Sequence, residues 1–177
     1  LVDFLLQTSE LQKFYQICKK NMVQIDIPGN KKITIEHLVM DYNGTLAVDG
    51  VLIEAVKPLI IELSSKLNLH VITADTFGLA SIQLTTLPVK LVILPSDNQQ
   101  EEKLKYIEQL GKDTCAVIGN GVNDALMLKH AAIGIALLQE EGLALEALMA
   151  SDIIMKNVMD ALNLFLHPKR MVATLRK

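Results

Sequence analysis

From His37 onward the chain alternates short apolar runs with longer amphipathic ones, and this rhythm permits few architectures. The apolar runs are "HLVMDY", "NLHVITAD", "PVKLVILP", "DTCAVIGN", "AIGIAL" and "DIIMK". Between them stand "EAVKPLIIELSSKL", "TFGLASIQLTTL", "SDNQQEEKLKYIEQLG", "NDALMLKHA" and "EEGLALEALMAS", each read as a helix. "NVMDALNLFLHPKRMVATLRK" closes the chain as a helix interrupted or kinked at Pro168. Near-continuous apolar strands must be covered on both faces. Alternating with helices, they predict an α/β three-layer sandwich with a mostly parallel central sheet.

Upstream, "MVQIDIPGNKKITIEH" alternates around the turn-forming "PGNKK", which predicts a β-hairpin running into or just preceding the strand that ends at Asp41. Residues 1–21 place Phe4, Leu11 and Cys18, with Leu5, Phe14 and Tyr15 beside them, at helical spacing. They are read as an N-terminal amphipathic helix that docks on the body or on another subunit. With Asp3 and Glu10 and no basic lead, the segment fits a signal peptide badly. Residues 22–177 are expected to form a single domain, with no internal repeat, low-complexity tract or linker.

Charge and cysteine usage narrow the partners. The net charge is −3, without a long basic run, and no apolar stretch approaches a membrane span. Neither nucleic acid nor a membrane is expected as a partner. The two cysteines, Cys18 and Cys115, lie far apart without CxxC spacing, which fits a reducing cytoplasm rather than a disulfide or zinc scaffold. Cys115, inside an apolar strand, reads as a small buried hydrophobe.

Ligands of parallel sheets bind beyond the carboxyl ends of the strands. Asp41, Thr73 and the loop "GNGVND" all stand there and should converge on one edge. Asp41 could attack a phosphoryl group beside a metal; alone, it reads equally as a turn cap. Thr73 could hold a phosphate oxygen; alone, it is more simply an N-cap shared with Asp75. Lys103, four residues after Gln99, could neutralise a phosphate and a carboxylate together; alone, it is a solvated helix lysine, and Lys105 competes for the role. In "GNGVNDA", Gly119 to Ala125, glycines allow close backbone approach to an anion. Asn120 and Asp124 there offer oxygen ligands of the kind magnesium prefers, where a plain strand-to-helix turn needs less.

The set, in the order Asp, Thr, Lys, Asp, resembles the haloacid dehalogenase (HAD) superfamily, and within it the phosphorylation domain of P-type ATPases. "DYNGTL" is similar to the superfamily's first motif, and "VITAD" to the ATPases' "TGD" segment. "LPSDNQQEEKLKYIEQLG" is similar to their "P-x-x-K" segment and the helix after it. "VIGNGVNDALMLKHAAIGIAL" and "ASDIIM" are similar to "GDGxNDxxAL…AdvGiAm" and "ADIvL". The likeness runs from about Leu38 to Met155.

The resemblance implies a HAD-like Rossmannoid fold without a large cap domain, and magnesium as cofactor. It implies Asp41 as the nucleophile that becomes an aspartyl phosphate, with Thr73 and Lys103 as further catalytic residues. Gly44, Thr73, Ala74 and Lys103 would hold the phosphoryl oxygens. The carbonyl of Asn43, with Asn120 and Asp124, would complete the metal site around Asp41, directly or through water. The substrate would be a phosphorylated small molecule or a phosphoprotein. Capless members either act on large substrates or form oligomers that shield the site, and the apolar first helix is compatible with a homo-oligomer.

Two departures matter. The superfamily's phosphatases carry a second aspartate where this chain has Asn43, and P-type ATPases carry threonine. An amide cannot shuttle a proton at neutral pH, so slow turnover, restriction to good leaving groups or a persistent phosphoenzyme is expected. Asn120 stands where the family usually has aspartate, which should lower metal affinity. Only 32 positions separate Asp41 from Thr73, where P-type ATPases insert a nucleotide-binding domain, so ion pumping is not expected. A regulatory or phosphate-binding module with little turnover is the second reading. A response-regulator receiver also uses aspartate, threonine and lysine, but in another order and without the "GxGxNDA" loop.

Overall fold

A computed structural model describes residues 21–75 and 78–177. The amphipathic helix expected for residues 1–21 lies, but for Asn21, outside them. The centre is a six-stranded sheet built from β3 (His37–Asp41), β6 (Asn68–Thr73), β7 (Lys90–Ile93), β8 (Cys115–Gly119), β9 (Ile133–Leu137) and β10 (Ile153–Met155). Its order is β10-β9-β8-β3-β6-β7, and every pairing is parallel. Two short antiparallel hairpins flank it: β1 (Val23–Asp26) with β2 (Lys32–Ile35), and β4 (Ala47–Val48) with β5 (Val51–Leu52).

Successive strand residues point to opposite faces, so each strand feeds two cores. Leu38, Met40, Ala116 and Ile118 pack on one side with α1 (Val56–Ser64), α2 (Leu79–Leu84) and α6 (Val158–Leu166), and with the β1–β2 hairpin. Val39, Ile72, Cys115 and Val117 pack on the other with α3 (Gln99–Leu110), α4 (Ala125–His130) and α5 (Leu145–Ala150). This is the expected three-layer α/β sandwich. Cys115 is fully buried, and burial pushes its thiol up to about 12, which leaves it unreactive.

Several helices are shorter than their sequence patterns. Residues 139–142 form a turn, closed by the Gly142 N–H on the Gln139 carbonyl at 2.8 Å, and the φ of 83° at Gly142 ends any helical path, so α5 begins only at Leu145. At Pro168 the last helix breaks in two, with α7 (Lys169–Leu175) starting directly after the proline.

Away from the strand tips, a polar chain crosses β3, β6 and α3. His37 Nδ1 and His70 Nε2 are 3.0 Å apart, and His70 Nδ1 meets Tyr106 Oη at 2.8 Å. A neutral imidazole offers one donor and one acceptor nitrogen, which suits this pair of partners. Burial, reinforced by His37 and Lys90, holds His70 down at about 4. Folded His70 therefore takes a proton less readily than it does in the unfolded chain, so stability falls as pH drops from about 6.5 toward 4. Allowing for solvent screening, the loss should be about 1–2 kcal/mol. Urea unfolding at pH 7 and pH 4.5 should show it, and His70→Gln should flatten that difference; an unchanged pH dependence would count against the assignment.

Candidate active site

Asp41, Thr73 and Gly119 end three adjacent strands, with Asp41 in the middle, so one edge of the sheet brings the three segments together. Past Asp41 the backbone winds tightly around one oxygen: Leu46 and Ala47 donate N–H bonds to the Tyr42 carbonyl at 2.8 and 2.9 Å. Gly44 makes that turn possible, with φ at 72°, and a Cβ there would collide with the side chain of Asn120. The "NGT" and "GNG" loops thus interlock through a missing side chain. Gly119 is constrained likewise, since a Cβ there would run into the Asp124 carboxylate.

Lys103 sits one turn into α3, on the face that also buries Ile107. Its Nζ lies 2.5 Å from Asp41 Oδ1 and 2.6 Å from Asp124 Oδ1, and its side chain is 1% exposed. Asp124 Oδ2 meanwhile accepts the N–H groups of Asn120 and Gly121, each at 2.9 Å. One ammonium between two carboxylates leaves the buried group one negative charge in excess. Burial pushes the Asp41 carboxyl up, to about 7; Lys103 works against that and Asp124 adds to it. The Lys103 ammonium is held well above its ordinary value by the same two carboxylates, despite its burial. Lys105 is exposed and pairs with Glu102.

Above this triad opens a cavity of about 370 Å³, lined by Asp41, Asn43, Thr73, Ala74, Asn120 and Asn123 among others. Thr73 Oγ1 accepts the Asp75 N–H at 3.2 Å. The N-cap of α2 is Gly78, and the first turn is held by Asp75, whose carboxylate accepts from the Ala80 and Ser81 N–H groups and the Ser81 hydroxyl. Thr73 is therefore not that helix's cap, and its O–H is available as a donor.

No family model matches the chain. An uncharacterized protein of Methanocaldococcus jannaschii is 42% identical over 78 residues, which cover 42% of this chain and 84% of that one. A probable copper-exporting P-type ATPase of Archaeoglobus fulgidus is 33% identical over 108 residues, which cover 59% of this chain but 13% of the exporter. Among solved structures, a zinc-transporting PIB-type ATPase superposes with a TM-score of 0.57 and 25% identity, over 70% of this chain and 20% of the transporter. The 3-deoxy-D-manno-octulosonate 8-phosphate phosphatase of Moraxella catarrhalis, solved with magnesium, phosphate and KDO, shares the fold: TM-score 0.59, 18% identity, 80% of this chain and 94% of that one. The chain has the fold of haloacid dehalogenase superfamily hydrolases.

Within this HAD scaffold, all eight residues expected to form the site lie at the strand tips or, for Lys103, against them. Two of them are also bonded within the scaffold. The Gly44 N–H is engaged by the Ala47 carbonyl at 2.8 Å, so Gly44 shapes the turn rather than offering its amide. Asp124 has both oxygens committed to Lys103 and the loop amides.

Asn120 is matched to its surroundings as an amide. Its Nδ2 donates to the Gly142 carbonyl at 3.1 Å, and its Oδ1 faces Thr45 Oγ1 at 3.5 Å. A carboxylate in that pose would set an oxygen against the carbonyl. With its nitrogen anchored, the side chain keeps its oxygen as the acceptor end. That oxygen, the Asp41 carboxylate and the excess negative charge make a donor set suited to a hard divalent cation.

Sequence reasoning missed Gln139. Its Nε2 donates to the Gly44 and Thr45 carbonyls at 2.9 and 2.8 Å, and its Oε1 accepts the Val158 N–H at 3.0 Å. One side chain beyond the tip of β9 thereby fixes the turn after Asp41. Its position just past the run "AIGIAL" was the available signal.

Proposed function

We propose that this HAD-fold protein is a magnesium-dependent phosphohydrolase or phosphotransferase working through an aspartyl phosphate on Asp41. The observation that carries the reading is the Lys103 ammonium clamped between Asp41 and Asp124 at the base of the cavity. A carboxylate so placed has one oxygen fixed by a cation and is oriented as a nucleophile. Oδ2, the oxygen that Lys103 does not take, attacks phosphorus, and the phosphorus–oxygen bond to the leaving group breaks. Thr73 and the Ala74 backbone hold phosphoryl oxygens, while Lys103 offsets charge on both Asp41 and the transferring group. Water then attacks phosphorus, the acyl-phosphate bond opens, and the Asp41 carboxylate and inorganic phosphate are restored.

Asp41, the Asn43 carbonyl and the Asn120 side-chain oxygen would hold magnesium, with Asp124 shaping the loop. When bound, the ion supplies the positive charge that a dianionic phosphate requires beside a carboxylate. A phosphorylated small molecule is the substrate class this cavity suits.

Incubation with acetyl phosphate and magnesium should add one phosphoryl mass to the peptide carrying Asp41, and Asp41→Asn should abolish the gain. An unshifted peptide, with phosphate still binding, favours a phosphate-binding module, the reading that Asn43 and Asn120 support by lacking carboxylates.

A further inference from the structure

Resting on that phosphoryl-transfer reading, we infer that the ester accepted here carries a positive charge close to its phosphate, as a short aminoalkyl phosphate does, rather than a carboxylate or a further phosphate. The cavity walls carry the argument. Asp41, Asp75 and Glu141 line it, and no lysine, arginine or histidine does so among the described residues. Lys103 is already engaged behind the wall by two carboxylates. A dianionic phosphate, a divalent cation and ionised Asp41 together leave one negative charge. Asp75 and Glu141 then remain without an opposite charge.

Both carboxylates are fixed. Asp75 is gripped by the start of α2, and those hydrogen bonds hold its carboxyl below the usual range. Glu141 Oε1 accepts the Asp49 N–H at 2.8 Å, which ties the 139–142 turn to the β4–β5 hairpin. Ala74 and Leu79 give the same wall an apolar stretch for a short alkyl spacer.

The test is calorimetric binding of phosphoethanolamine and phosphoglycolate, each with magnesium at low salt, to the full chain. These esters match in size and differ in the sign of the second group. Phosphoethanolamine should bind about tenfold tighter, because fixed charges of one sign attract one ester and repel the other. The ratio should shrink severalfold in Glu141→Gln, which keeps an acceptor for Asp49, and also at high salt. Equal affinities, preference for phosphoglycolate, or binding of neither ester overturns the inference. Acetyl phosphate labelling run in parallel separates the two readings. Labelled Asp41 without a charge preference sinks this inference alone. A charge preference without labelling keeps it and sinks the covalent mechanism.

Discussion

Asn43→Asp should raise steady-state hydrolysis of phosphate esters by ~10²- to 10⁴-fold, the usual range for restoring a positioned acid–base group. Asn43 lines the cavity two residues beyond Asp41, on the turn wound around the Tyr42 carbonyl. Its amide cannot give a proton to a departing alkoxide or take one from water. A carboxyl group can do both, so the gain should be largest for alkyl esters, whose leaving groups need protonation most. Acetyl phosphate should gain less. The lifetime of phospho-Asp41, followed by acid quench and mass spectrometry, should shorten in step. If Asp41 labels normally in both proteins and the lifetimes are equal, proton transfer by residue 43 is not what limits this chain.

Lys103→Met should destabilise the fold by about 3–5 kcal/mol, the cost of leaving buried charges without their partner. The substitution strips the ammonium from Asp41 and Asp124, both of which it contacts within 2.6 Å. Urea unfolding of the metal-free protein reads the loss directly. Lys105→Met is the matched control, since Lys105 pairs with Glu102 on an exposed surface, and its unfolding curve should overlay that of the parent. Adding Asp41→Asn to Lys103→Met should recover part of the loss by removing one of the two stranded carboxylates. A Lys103→Met protein as stable as the parent would mean that the triad is solvated in practice.

The fold was legible because its signals are local. Six apolar runs, each bounded by turn residues, are enough to specify strands, and the helices between them require a parallel sheet. Helix ends were less so: the stretch around Gly142 is helical by composition, and only its positive φ removes it from α5. In the site, spacing along one helix could have separated Lys103 from Lys105. Lys103 stands four residues before Ile107 and shares its buried face, whereas Lys105 falls on the exposed side. Gln139 and Glu141 were harder to see, because their partners lie about 90 residues away, at Gly44, Thr45 and Asp49. Asn120 presented the reverse case. From sequence it was a deficient aspartate, and only the Gly142 carbonyl explains why an amide occupies the position.

Gln139 bonds the turn after Asp41 and the first residue of α6 through one side chain. The turn after the nucleophile and the C-terminal helices are therefore fastened to each other through it. Any force that displaces α6 by more than a hydrogen bond can stretch must either unlatch Gln139 or drag the reactive turn along with it. The far end of the chain is mechanically in register with the chemistry.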